Sequence, residues 1–180
     1  VQGDALKTLF TQDETPDYIC GNLPYNVGSV CIAKLIENDI RVRRMVFTLQ
    51  KEVVERMCAS KDSDAYSFFS LLTQIDYRNR LLFTIPRSCF YPQPNVDSAV
   101  VVMERRETSL VPDEMRNDFL SIVRTLFSQR RKTIRNNLSS AYSKDKLSSA
   151  FDRASLSGME RAEALDIDQL INLVNILKSE

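Results

Sequence analysis

At 180 residues the chain has room for one large or two small domains, and an apolar content of 43% is ordinary for a chain with a packed core. Its 24 basic and 24 acidic residues cancel, so any nucleic-acid surface has to be local; the absence of histidine excludes imidazole acid/base catalysis and histidine metal ligation. No window approaches the ~20 apolar residues of a membrane-spanning helix, and Cys20, Cys31, Cys58 and Cys89 lie too far apart for a paired zinc motif.

In chain order, Asp4-Ala5-Leu6 reads as the end of a strand, and a polar connection over 10–17 leads to a short strand at Tyr18–Cys20. Gly21-Asn22-Leu23-Pro24-Tyr25 then forms a stiff corner, because Pro24 fixes its own φ and biases Leu23 toward an extended backbone. A helix follows over 27–36, carrying Val30, Ile32, Ala33, Leu35 and Ile36. Residues 44–49 read as a strand, and 50–58 as an amphipathic helix with Val53, Val54 and Met57 on its apolar side. A charged loop at 61–65, an apolar helix over 66–75 and a strand from about 79 to 85 come next. Phe90-Tyr91-Pro92-Gln93-Pro94 is a stiff extended loop before the last strand, 96–104, whose run Val100–Met103 suits burial on both faces. Charge and proline cluster at 105–112, and strand character then stops, so a domain boundary is placed there. Helices are expected over 113–127, 133–138, 144–151 and 166–177, a small bundle that would be marginally stable alone. Cys20, Cys31 and Cys58 fall in apolar patterns and read as reduced, packed thiols.

Three features carry chemistry. At the corner, the Asn22 side-chain oxygen and the Pro24 carbonyl can each accept from an exocyclic amine, and Tyr25 offers a stacking face. The same letters equally suit a turn with a capping Asn and a surface Tyr. Gln50-Lys51-Glu52 stands at a strand-to-helix junction; Lys51 reads either as a phosphate contact or as a solvated helix start. Finally, Arg124, Arg130, Arg131, Lys132, Arg135 and Lys144 fall within a stretch from Phe119 to Lys144 that contains no acidic residue, a pattern suited to RNA phosphates or to plain solubility.

The order of these segments resembles the ribosomal-RNA adenine N6-dimethyltransferases of the KsgA type. The resemblance rests on Gly3-Asp4-Ala5-Leu6, Gly21-Asn22-Leu23-Pro24-Tyr25-Asn26, Leu49-Gln50-Lys51-Glu52-Val53-Val54, the run from Phe90 through Pro92, Pro94, Val96, Asp97 and Ser98 to Val100, Phe127-Ser128-Gln129-Arg130-Arg131-Lys132, and Arg161-Ala162-Glu163. It implies an α/β fold: the C-terminal part of a Rossmann-like S-adenosylmethionine-dependent methyltransferase domain over 1–108, with strands 79–85 and 98–104 as an antiparallel hairpin, and a small all-helical RNA-binding domain over 109–180. It implies methyl transfer to N6 of two adjacent adenines near the 3′ end of small-subunit rRNA, directly, without a covalent intermediate or a metal. Asn22, Leu23, Pro24, Tyr25 and Phe90 become the catalytic set, with the target adenine between Tyr25 and Phe90. Asp4, Ala5 and Asn22 become cofactor contacts, and Arg124, Arg130, Arg131, Lys132, Arg135 and Lys51 become RNA contacts. Asp97 and Ser98 are expected to brace the backbone, and Arg161 and Glu163 to form a structural ion pair or a helix brace. The implied partner is small-subunit rRNA or a pre-30S-type particle, met by a cytoplasmic monomer. The family's Gly-rich cofactor loop has no counterpart among glycines 3, 21, 28 and 158, and the chain opens Val1-Gln2. The expectation is therefore an N-terminally truncated fragment that begins at the third core strand and is inactive by itself, which leaves a non-catalytic RNA-binding or ribosome-assembly factor as the alternative.

Overall fold

A computed structural model describes residues 16–179. The chain divides into two compact units, one made of the described residues up to Cys58 with Leu72–Ser109, the other of Ala59–Leu71 and the residues from Leu110 onward. The second unit thus also takes in Ala59–Leu71, which a linear division at 108/109 assigns to the first.

The first unit holds a four-stranded sheet. Strand β1 (Tyr18–Asn22) leads through helix α1 (Gly28–Glu37) to β2 (Arg44–Gln50), which passes directly into helix α2 (Lys51–Cys58). Strands β3 (Tyr77–Ile85) and β4 (Ser98–Arg105) follow, and the spatial order is β1-β2-β4-β3. β1 and β2 are parallel, as the helical crossover requires; β2–β4 and β3–β4 are antiparallel. The expected hairpin is therefore present, with a register shift between Leu81 and Phe83. β4 lies between two strands, and its run Ala99–Met103 is buried throughout, so both of its faces are covered.

β1 extends beyond Cys20 to Asn22, so the carboxamide stands on the strand itself. α1 packs Cys31, Ile32, Leu35 and Ile36 inward, and α2 packs Val53, Val54 and Met57. Burial of each such side chain contributes about 1.5–3 kcal/mol. Gly28 has a steric reason: a Cβ there would lie 2.5 Å from Leu49 Cδ2 and 3.3 Å from Leu23 Cβ. The start of α1 is thereby pressed against the ends of β1 and β2.

Helix α3 (Phe68–Gln74) spans the division between the units. It begins later than the apolar pattern suggests, because the Ser70 hydroxyl accepts from the Ser67 backbone N–H at 3.0 Å. The second unit carries α4 (Arg116–Leu126), α5 (Ile134–Leu138), α6 (Lys144–Arg153) and α7 (Ile167–Ser179). Phe119, Ile122, Val123 and Leu126 of α4 are buried, as are Leu147, Ala150 and Phe151 of α6 and Leu170, Leu173, Val174, Ile176 and Leu177 of α7. Thr133 and Ser143 cap α5 and α6 by accepting from Asn136 and Lys146 backbone N–H groups. At α7, Asp166 and Gln169 each accept from the other's backbone N–H, at 2.9 and 3.0 Å, a reciprocal capping box. Among the described residues no helix is long and apolar enough to cross a membrane.

Candidate active site

The corner after β1 is held by backbone geometry. Leu23 N–H donates to the Thr48 carbonyl at 3.2 Å, continuing the parallel ladder one residue past the strand. The Pro24 carbonyl then accepts from Val27 N–H at 3.1 Å and Gly28 N–H at 2.9 Å. A carbonyl oxygen has two lone pairs, so Pro24 is occupied in starting α1. The expectation that it accepts from an incoming amine is corrected accordingly. The neighbouring Leu23 carbonyl accepts nothing from the described residues, and it stands one residue from the exposed Asn22.

Tyr25 is half-buried, and its hydroxyl is hydrogen-bonded to the Ser98 hydroxyl at 2.5 Å. Ser98 is fully buried at the start of β4. The ring is thereby anchored at its far end, a contact across 73 residues that no local motif announces.

The connection from β3 to β4 is braced as well. A short 3-10 turn, Arg87–Cys89, precedes Phe90. Arg87 N–H donates to Asp97 Oδ1 at 2.9 Å, the Arg87 guanidinium donates to the Asn95 carbonyl at 3.3 Å, and Lys51 N–H donates to the Asp97 carbonyl at 2.9 Å. Asp97 therefore ties this loop both to itself and to the start of α2. The loop brings Phe90, Tyr91, Pro92 and Pro94 to face Asn22, Leu23, Pro24 and Tyr25 around one cavity of about 330 Å³. Phe90 is half-buried, neither a core ring nor a free one, and Tyr91 is fully exposed. None of the described residues that line this cavity carries a charge.

The other residues singled out from the sequence separate into groups. Asp4 and Ala5 lie outside the described residues. Lys51 pairs with Glu55 at 3.6 Å, which offsets its charge. In the second unit, Arg130 is engaged by Glu163 at 2.7 Å and by the Asp64 carbonyl at 2.9 Å. Glu163 thus meets Arg130, and the expected pairing with Arg161 is corrected. Arg135 lies over the Phe151 ring at 5.0 Å and donates to the Ser148 hydroxyl. Gly158, at φ 79°, leaves room for that stack, since a Cβ there would be 2.8 Å from Phe151. Arg124 sits over Phe68 at 4.9 Å. Arg131, Lys132 and Lys144 are exposed. Asn137 shapes the loop that carries Arg131 and Lys132, donating to the Leu126 and Gln129 carbonyls at 2.6 and 3.3 Å.

The cysteines are not all packed. Cys31 is buried, but Cys20 and Cys58 are exposed. Strand alternation sets Cys20 on the exposed side of β1 with Tyr18 and Asn22, and Cys58 is the last residue of α2, off its apolar side. Partial burial still pushes the Cys58 thiol above its ordinary value, against the lowering effect of a hydrogen bond with the Leu81 backbone, which makes it a poorer nucleophile.

Comparison with known proteins gives this geometry a context. A family model described as ribosomal RNA adenine dimethylase matches residues 1–179. Similar relatives include the ribosomal RNA small subunit methyltransferase A of Streptococcus pneumoniae strain P1031, 36% identical over 95% of this chain and 61% of its own. The protein of that name from Treponema denticola is 37% identical over 98% of this chain and 62% of its own. The chain therefore spans about three-fifths of the length of these relatives. Among solved structures, a dimethyladenosine transferase from Plasmodium falciparum superposes with TM-score 0.79 at 24% identity, over 96% of this chain and 70% of that one. The 23S rRNA methyltransferase ErmE superposes with TM-score 0.68 at 20% identity, over 94% and 69%. These likenesses establish a Rossmann-like methyltransferase fold with additional helices. The expectation of an N-terminally truncated, inactive fragment is withdrawn, because the family match runs from residue 1 to residue 179. The chain belongs to the ribosomal RNA adenine dimethylase family.

Proposed function

We propose that the protein methylates N6 of adenine in small-subunit ribosomal RNA, converting two adjacent adenines near the 3′ end to N6,N6-dimethyladenine. The observation that carries this reading is the cavity that unites Asn22, Leu23 and Tyr25 with Phe90 at the carboxyl end of β1, uncharged among the described residues, where open α/β sheets place their ligands. The names of its relatives and the family match support the choice of RNA.

The chemistry follows from the walls. A base enters such a pocket only after leaving its stack, at a cost of a few kcal/mol that is least in unpaired RNA. Tyr25 and Phe90 offset that cost by stacking, worth about 1–3 kcal/mol per base. The Asn22 side-chain oxygen and the Leu23 carbonyl accept the hydrogens of the exocyclic amine. That amine is a poor nucleophile because its lone pair is delocalised into the ring; two acceptors favour the pyramidal form and stabilise the positive charge that grows during attack. S-adenosylmethionine, when bound, supplies the electrophilic methyl group. The described residues fit a sulfonium donor in one respect: no lysine or arginine lines the cavity to repel it. Asn22 would contribute to holding it, with Asp4 and Ala5 the further contacts proposed from the sequence. Arg131, Lys132 and Lys144, with support from Arg124 and Arg135, would meet RNA phosphates and dock the particle.

The test is incubation of the protein with unmodified small-subunit particles and labelled S-adenosylmethionine, followed by nucleoside mass analysis. N6,N6-dimethyladenosine is the expected product. Particle binding without any methylated adenosine would instead favour a non-catalytic assembly factor, a reading to which the exposed basic residues are also suited.

A further inference from the structure

A second and larger cavity, of about 480 Å³, opens at the carboxyl end of β2. Gln50, Lys51, Glu52 and Glu55 form one wall, and Arg87 with Asn95–Asp97 forms the other. The size falls within the roughly 300–1,000 Å³ of small-ligand pockets. The mechanism above makes no use of it.

Two observations join it to the first cavity. The β3–β4 loop borders both: it lines the first through Pro94 and the second from Asn95. Ser98 stands between them, hydrogen-bonded through its hydroxyl to Tyr25 of the first cavity and paired across the sheet with Gln50 of the second. A strand that places one base against Tyr25 and continues along this shared loop would bring a neighbouring nucleotide to the second opening.

The lining chemistry indicates which part of a nucleotide fits. Glu52, Glu55 and Asp97 outnumber Lys51 and Arg87; Lys51 is also turned to Glu55. A free phosphate inside would meet more negative than positive charge. Gln50 and Asn95 contribute carboxamide oxygens beside those carboxylates, so the walls are rich in acceptors. Acceptors recognise hydrogens on an exocyclic amine. Arg87 is held in place through the Asn95 carbonyl, and its guanidinium suits the phosphate linking two nucleotides. The site is preformed by the Asp97 contacts to Arg87 and Lys51.

We infer that the second cavity seats the base next to the target adenine and selects one that carries an exocyclic amine. The inference rests on the reading of the first cavity proposed above. It gives a physical reason for order between two adjacent adenines: the one methylated first is in the first cavity while the amine of its still unmodified neighbour, which keeps its hydrogens, is read in the second.

The experiment measures binding of the protein to short single-stranded RNAs containing adenine-adenine. Two further RNAs replace the first or the second adenine by purine, which lacks the amine. Either replacement should weaken binding on the order of tenfold, as expected for one lost polar base contact. The variant Gln50→Ala/Asn95→Ala should lose discrimination at one position, and Asn22→Ala at the other. Asn95 is exposed and its side chain makes no hydrogen bond in the described structure, so Asn95→Ala alone tests the site without threatening the fold. If the double variant keeps tenfold discrimination at both positions, or if it and Asn22→Ala act on the same position, the second cavity is not a base site. If Asn22→Ala alters discrimination at neither position, the reading of the first cavity fails, and the inference falls with it.

Discussion

Removing the Tyr25 hydroxyl separates the ring's anchor from its stacking face. Tyr25→Phe keeps the aromatic surface and deletes the partner of Ser98, whose side chain is fully buried. Leaving a buried hydroxyl unpaired costs about 1–3 kcal/mol; since Tyr25 itself is only half-buried, the lower part of that range applies, about 1–2 kcal/mol. For a chain of this size that lowers the melting temperature by roughly 2–8 °C. Ser98→Ala removes the other partner, and the double variant Tyr25→Phe/Ser98→Ala leaves no polar group stranded there. It should be less destabilised than the sum of the single changes, with a coupling of about 1 kcal/mol. The function should follow a different order. Both single variants and the double variant retain a ring able to stack but not fixed at its far end, so all three should slow single-turnover methyl transfer to small-subunit particles. Far-UV circular dichroism melts and single-turnover transfer, measured on the same preparations, decide the matter. Additive stabilities, or wild-type transfer by Tyr25→Phe, would refute the claim that this contact positions the ring.

Three other outcomes are expected. Asn22→Ala should reduce the rate of methyl transfer far more than it weakens RNA binding, because the lost acceptor matters most as positive charge develops; equal losses in rate and affinity would make Asn22 a binding group only. Arg131→Ala/Lys132→Ala should flatten the salt dependence of RNA affinity by about 0.7 in log–log slope per lost single-strand phosphate contact without changing thermal stability, whereas Arg130→Ala, which strips Glu163 and the Asp64 carbonyl of their partner, should lower stability; parallel salt slopes for wild type and Arg131→Ala/Lys132→Ala would make those two residues plain solvated surface. The Asp166 carboxyl is held below its usual range by the hydrogen bond from Gln169 N–H and then by Lys61; a depressed pKa adds stability above the unfolded value of about 3.9 and loses it as pH falls through the folded value, so Asp166→Ala should cost about 0.5–2 kcal/mol near neutrality and the difference from wild type should shrink in acid melts, while a pH-independent difference would show that the charge of Asp166 contributes nothing.

What could be read in the sequence was local. Pro24 announced a stiff corner before a helix, because its fixed φ and its effect on Leu23 act within two residues. The apolar run from Val100 to Met103 announced a central strand, since only burial on both faces tolerates such a run. The helices of the second unit followed from apolar spacing, and the order of the motifs carried the family. Contacts that join distant segments were decided by the tertiary structure. The pattern around Asn22 gave no sign that the Pro24 carbonyl is consumed by Val27 and Gly28 N–H groups, a matter of chain direction after the corner. Tyr25 meets Ser98, and Arg130 meets Glu163, because the sheet and the helical unit bring those residues together from far apart in the chain. The second cavity joins segments that the sequence offers separately: it exists because β2 ends beside the loop that enters β4, so that Gln50 and Asn95 come to share one opening. Side-chain chemistry and short-range backbone preference are written residue by residue, whereas hydrogen-bond partners and cavities are properties of packing, fixed only when the strands have paired.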